Sequence, residues 1–310
     1  MFSKLFLYPL FFSIIFFLTA CSSVKKNSLS TENLTVRQIK KLDQAQEYIQ
    51  QKKFKKAGEI YDALAKDLRG KPLEVMMLFN GGSSHREAGN CEIAVTRYRR
   101  LLDRSLKQIR FKARGLLEIS FTYECLGQTR LSFLSLKDIT AFRKYLSLEF
   151  QKTVYPARLG IAYAATEQLQ KSLQYQTLAL NGVLQLKKQY TSEKDLSQNL
   201  SRLFYFMGRS YTSKSHLNPV PFIVSFPHHQ LYLLQSIFLK DNVWSSRSEK
   251  ELTLIFEKLK MALNSPVLRK KYKNFILTAL KKGEILSQNE ADSFFIVSYK
   301  TKANKIKSLF

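Results

Sequence analysis

The sequence predicts an all-α fold, a solenoid of stacked helical hairpins with a C-terminal helical cap. Three observations predict it. Small residues recur at Ala45, Gly82, Ser120, Gly160 and Gly208, each followed one helical turn later by a ring, at Tyr48, His85, Tyr123, Tyr163 and Tyr211. A second series of small residues, Ala57, Ala94, Ser132 and Ser172, falls where an antiparallel second helix comes closest. Four residues beyond these stand the large side chains Tyr61, Tyr98 and Leu136, with Gln176 as the exception. Helix axes approach closely only where side chains are short. One hairpin cannot bury its apolar face alone, so copies at a near-regular spacing mean a stack.

The elements follow in order. The first hairpin runs from Leu34 to Leu68, turning at Lys52-Lys53 and ending at Arg69-Gly70-Lys71-Pro72, because Gly and Pro are poor helix continuers. The second runs from about Leu73 to Ser105 and turns at Ala88-Gly89-Asn90. Gly81-Gly82 in its first helix lacks the Gly-Lys-Ser/Thr ending of a phosphate loop, so close helix packing is the better reading. The third spans about Phe111 to Phe150 with its turn at Leu126-Gly127-Gln128, and the fourth about Tyr155 to Lys188. A fifth first-helix is expected from Leu203 to Lys214. Its partner is expected to be lost to Asn218-Pro219-Val220-Pro221, which places a domain transition there. A C-terminal region, residues 222–310, is expected to supply helices near His228 to Leu239, Ser246 to Leu263, Val267 to Lys281 and Gln288 to Lys305, capping the last exposed face.

The pattern resembles the tetratricopeptide repeat, a helical-hairpin family with Gly or Ala at its eighth position and Ala at its twentieth. The likeness covers Leu34 to Tyr211. Successive small positions here lie farther apart than the family's roughly 34 residues, and its Trp at position four and Pro at thirty-two are missing, so the turns must carry insertions. The resemblance implies that the inner face of the first helices receives a peptide or a partner's helix. On this chain that face comprises Arg86, Arg114, Phe121, Arg158, Arg202, Tyr205 and Arg209, a set that suits an acidic, partly apolar segment. Only Asn80 and Arg158 stand where some relatives' carboxylate clamp has Asn and Arg, so capture of a C-terminal carboxylate is not implied.

The N-terminus predicts location. Lys4 precedes an uncharged run, Leu5 to Leu18, that closes on Leu18-Thr19-Ala20-Cys21. About 14 apolar residues is short for a membrane span, and small residues before a Cys mark a cleavage site. Residues 1–20 resemble a bacterial lipoprotein signal peptide, which implies that the Cys21 thiol is lipidated and the new amino group acylated, so the mature chain carries diacylglyceryl and palmitate-type chains. A plain secretory peptide or a single-pass anchor is the alternative. Three acyl chains exceed what stable anchoring needs. Residues 21–33 then serve as a flexible tether, and Ser22 in place of Asp implies the periplasmic face of the outer membrane.

Charge bounds the partners. The chain carries 50 Lys and Arg against 24 Asp and Glu, a formal net charge of +26, and Lys4 is the only one of these charged residues in the first twenty. Such an excess suggests a polyanion. Export argues against nucleic acid and leaves lipid head groups, lipopolysaccharide and cell-wall polymer. A uniformly basic surface that merely keeps the chain soluble is the bland reading. The densest cluster is Arg97, Arg100, Arg104, Lys107, Arg110 and Arg114, which a helix gathers into a stripe.

Two cysteines remain, Cys91 and Cys125, both placed by the repeat pattern towards the same turn-bearing edge. A disulfide and a pair of buried thiols are both open readings. For catalysis the sequence offers little. His85 sits in a core slot, adjacent His228 and His229 splay apart on a helix, and no Gly-x-Ser-x-Gly elbow or His-Glu-x-x-His occurs. No metal, cofactor or enzymatic activity is expected. The expected function is a non-enzymatic adaptor in an envelope assembly, with anionic-polymer binding and an unrecognised small-ligand or enzymatic role of the C-terminal region as alternatives.

Overall fold

A computed structural model describes residues 34–190, 192–209, 219–290 and 293–310. Among these the chain forms α-helices and no strand. The first four hairpins are α1 (Val36–Gln50) with α2 (Phe54–Asp67), α3 (Pro72–Glu87) with α4 (Cys91–Arg104), α5 (Ile109–Cys125) with α6 (Thr129–Asp138), and α7 (Tyr155–Ala165) with α8 (Leu169–Lys187). A 3₁₀ segment, Ile139–Tyr145, and a π turn, Phe150–Val154, lead from α6 into α7. Five helices follow: α9 (Glu193–Gly208), α10 (Val220–Phe238), α11 (Trp244–Ala262), α12 (Pro266–Glu290) and α13 (Ser293–Lys307). Most consecutive helices pack on one another, with α12 packing on α10 and α13 instead of on α11, and the whole is an all-α helical solenoid.

Local chemistry sets the boundaries. At α1 the Thr35 hydroxyl accepts from the Gln38 N–H at 3.3 Å while the Gln38 side chain accepts from the Thr35 N–H at 2.9 Å, satisfying two otherwise orphaned donors. Proline opens α3, α7 and α10, where its missing N–H costs nothing. The hairpin turns repeat one hydrogen bond. The carbonyls of Tyr48, His85, Tyr123 and Tyr163 accept from the N–H groups of Lys53, Asn90, Gln128 and Gln168 at 2.8, 2.8, 2.8 and 2.9 Å. Each turn carries one left-handed residue, respectively Lys52, Gly89, Gly127 and Glu167. This is the helix-ending geometry in which a residue at positive φ lets the chain reverse.

The small and large series meet as their spacing predicts. A Cβ on Gly82 would lie 2.9 Å from the Tyr98 ring, one on Gly160 would lie 2.6 Å from the Gln176 amide, and one on Gly208 would lie 2.9 Å from the Tyr232 Cβ. Tyr232 therefore fills, in α10, the large slot of the fifth hairpin. Its hydroxyl donates to Gln176 of the fourth hairpin, which explains why that slot holds an amide instead of a ring. Gly81 packs against Tyr61 and Asp62, as a packing glycine and not a phosphate loop.

One boundary expectation is corrected. The proline cluster does not remove the partner of α9, because Pro219 caps α10 and Pro221 lies in its first turn. The helix begins at Val220, not near residue 222 or His228, continues through Pro227, and packs directly on α9 and α7. Ser201 of α9 and Ser236 of α10 exchange buried hydrogen bonds at 2.8 Å. The core around Phe222, Phe226 and Leu234 is continuous with Tyr205 of α9 and with Phe256, Ile276 and Tyr299 of the last three helices. Residues 210–218, including Tyr211 and His216, lie outside the described residues.

Candidate functional site

The first helices all end on one side of the stack, and there the sequence-predicted cations converge. Arg86 is in the last turn of α3, Arg114 and Phe121 are on α5, Arg158 is on α7, and Arg209 immediately follows α9. Arg86 and Arg209, at the C-terminal ends of α3 and α9, also suit the negative end of the helix dipole. Three carboxylates meet them. Arg86 donates to Glu118 at 2.6 Å and to Glu87 at 3.2 Å, Arg114 pairs with Glu118 at 2.9 Å, and Arg209 donates to Glu87 at 2.5 Å. The Glu124 carboxylate abuts the Arg158 guanidinium, whose Nη1 also donates to the Arg209 carbonyl at 3.0 Å. Phe121 carries two of these cations on its ring, Arg86 at 5.5 Å and Arg158 at 4.6 Å, and Arg114 lies 3.9 Å from the Phe150 ring.

The electrostatics follow from burial. Burial alone would raise the Glu118 pKa, but the Arg86, Arg114 and Arg209 charges outweigh it and hold the carboxyl below its ordinary range. Glu87 is likewise depressed: burial opposes, and Arg209 and Arg86 prevail. For Arg86 the order reverses. Burial disfavours its charge, and Glu118 more than restores it. Arg158 is pushed down by burial and by the adjacent Arg209 and Arg86 cations. Ions removed from water in this way hold together only because each has a partner.

This corrects the expectation of an open peptide groove. Arg86, Phe121, Arg158, Tyr205 and Arg209 are buried, and only Arg114 and Arg202 keep partial side-chain exposure, 25% and 16%. Arg202 pairs with Glu149 at 2.9 Å, and Tyr205 packs against Phe206 and Trp244 with Arg209 over its ring. The structure brings the predicted set together, but around the chain's own carboxylates. The residues missed were Glu87, Glu118, Glu124 and Glu149. Their signal was Glu87 beside Arg86 and Glu118 one turn after Arg114 on the same helix.

The basic stripe divides. Arg97 grips Asp62 through two bonds of 2.6 and 2.8 Å, and Arg100 holds the buried Glu74 at 2.5 Å. Arg104, Lys107 and Arg110 remain exposed at the α4–α5 edge around Leu106, which is 71% exposed. Asp62 also accepts from His85 Nε2 at 3.0 Å, and His85 is buried, so this histidine is a core residue. Cys91, first in α4, and Cys125, last in α5, are joined by a disulfide with their Cα atoms 6.2 Å apart. Cys21, the signal segment 1–20 and the tether 21–33 lie outside the described residues.

A cleft between α11 and α13, lined by Glu249, Thr253, Phe294, Ser298 and Lys302, measures about 180 Å³, below the ~300 Å³ at which small-ligand pockets begin. No helix among the described residues is long and apolar enough to cross a membrane. No protein-family model matches the chain, and no curated protein matches it.

Proposed function

We propose that this chain is a non-enzymatic outer-membrane lipoprotein, held by acyl chains at Cys21, whose periplasmic TPR-like domain acts as a protein-protein interaction adaptor in an envelope assembly. The observation that carries this reading is the Cys91–Cys125 bond. Disulfides persist in oxidising compartments and are rare where thiols are kept reduced, which agrees with the export signal at residues 1–20. The adaptor role is supported by the stacked hairpins, since an elongated solenoid offers recognition surface without chemistry.

Because the inner-face arginines are engaged with Glu87, Glu118 and Glu124, the recognition surface moves to the α4–α5 edge. There Arg104, Lys107 and Arg110 surround the exposed Leu106, and an acidic segment with an apolar anchor complements them. The test is capture of partners by the lipidated full chain from solubilised membranes, compared with an Arg104→Glu, Lys107→Glu, Arg110→Glu variant. Loss of a defined protein partner at unchanged folding supports the proposal, and an identical partner set overturns this surface.

The formal charge of +26 favours a second reading, attachment to anionic cell wall or lipopolysaccharide. Salt separates the two. Charge-driven attachment collapses as ionic strength rises, whereas a partner held through Leu106 persists.

A further inference from the structure

Through most of the stack a second helix is covered on both flanks by its neighbours. The exception is α8. It packs on α7 and on the π turn but meets α9 only at its edge, because α10 leans across onto α7 instead. The flank so left open carries Leu169, Leu173, Leu180 and Leu184, which the helical repeat places within about 60° of one another. Three of these leucines are 63%, 67% and 60% exposed, at positions 169, 173 and 184. Single exposed leucines are ordinary, but a continuous row on one helix marks a contact surface.

Charge identifies the occupant. Among its 19 residues α8 has no Asp or Glu. The exposed ionisable groups beside the leucine row are Lys187 and, immediately after the helix, Lys188; Lys171 lies on the opposite side, over the Tyr163 ring, and the rest of the exposed arc is the uncharged Gln170, Gln174, Thr177, Leu178, Asn181 and Gln185. Lys152 of the π turn adds a further cation, donating to Gln185 at 2.8 Å. A second copy of the same face would bring lysine against lysine with no carboxylate on the helix to answer it. An anionic lipid surface answers both features, since leucines enter the acyl boundary while lysines reach the phosphates.

We propose that the leucine face of α8 docks flat on an anionic phospholipid bilayer, fixing the solenoid's orientation at the membrane. The proposal does not depend on how residues 1–21 attach the chain. It is tested with the full-length protein reconstituted at low density into vesicles of phosphatidylglycerol and phosphatidylcholine carrying brominated acyl chains, using Leu180→Trp beside the native Trp244. The added Trp at position 180 is expected to shift to the blue and lose emission in anionic vesicles. Both effects should disappear in pure phosphatidylcholine and in a Lys187→Glu, Lys188→Glu background. Unquenched emission in anionic vesicles with which the chain still floats overturns the proposal, as does equal quenching in both lipids. A blue shift in detergent solution with doubled mass would assign the face to a second copy and also overturn it. Failure of the lipoprotein reading is seen separately, as a Cys21→Ser chain that carries the same lipid mass as the unchanged protein.

Discussion

The Arg209 guanidinium donates to the Glu87 carboxylate at 2.5 Å across 122 positions of chain. Two residues at the ends of α3 and of α9 can meet only if the stack curls tightly enough to bring its second and fifth hairpins together. The inner face is thus filled by its own side chains, and the cations that would recognise a partner in an open groove hold the curl instead. The buried network and the exposed α4–α5 edge around Leu106 then sit apart, and each can be perturbed without the other.

Glu118 serves two arginines from a nearly solvent-free position, with its side chain and that of its partner Arg86 each only 5% exposed. Glu118→Gln removes the carboxylate that Arg114 pairs with and leaves Arg86 only the Glu87 carboxylate it shares with Arg209, and breaking a buried pair from one side costs about 3 kcal/mol. Urea unfolding measures this. A loss under about 0.5 kcal/mol, the range of an ordinary surface change, would mean the network is hydrated and not a structural element.

Acid sensitivity should begin above the carboxylate range. His229 is buried, bonds the Gly208 carbonyl through Nδ1 at 3.1 Å, and has its pKa lowered to about 3, first by burial and then by Arg158. His228 is lowered by burial to about 4. An unfolded histidine titrates near ~6.5, so below that pH the unfolded chain takes up protons the native one refuses. Stability therefore falls as pH drops from about 6.5 towards 3. The depressed Glu118 and Glu87 add a further loss as pH falls through the carboxylate range. Melting temperature followed against pH should decline between pH 6.5 and 5, and His229→Gln should flatten that decline. An unchanged slope would reject the assignment.

The Cys91–Cys125 bond closes a segment of 34 positions from the start of α4 to the end of α5. Removing a cross-link of that span costs about 2–4 kcal/mol. Cys91→Ser with Cys125→Ser, or the unchanged chain in reductant, should unfold at correspondingly lower denaturant. Coincident curves would show that the thiols contribute only packing.

Two backbone positions should respond in opposite directions. A Cβ at Gly182 would collide with the Lys152 carbonyl, a backbone atom of the π turn that cannot swing aside, so Gly182→Ala should destabilise by roughly 1–3 kcal/mol. Glu167 holds a φ of 61°, and Glu167→Gly relieves that strain for a gain of about 0.5–1 kcal/mol. Thermal melts read both signs, and a stabilising Gly182→Ala would contradict the packing described.

Much of the fold was legible because short side chains at helix crossings leave a local, repeating mark. Gly82 facing Tyr98 and Gly160 facing Gln176 are fixed by one recurring spacing within a hairpin. The fifth hairpin hid that mark, since Tyr232 reaches Gly208 only after the connection through residues 210–218 has broken the spacing. Pro221 was misread for a related reason. A proline that ends one helix and a proline in the first turn of the next carry the same letter, and only packing on α9 distinguishes them. The commitment of the arginines was less legible still, because Arg209 and Glu87 are partners only through curvature, which no local pattern encodes. The leucine row of α8 could be counted, but its exposure depended on α10 leaning onto α7.

The most direct measurement is a double-mutant cycle on the pair that closes the curl, comparing the unfolding free energies of Glu87→Gln, Arg209→Gln, the double variant and the unchanged chain. A coupling of about 1–3 kcal/mol is the expected result for a curled stack whose inner cations are spent on its own carboxylates. A coupling within about 0.3 kcal/mol of zero would mean that Arg209 and Glu87 stand apart in solution, and that the inner face is open to a partner.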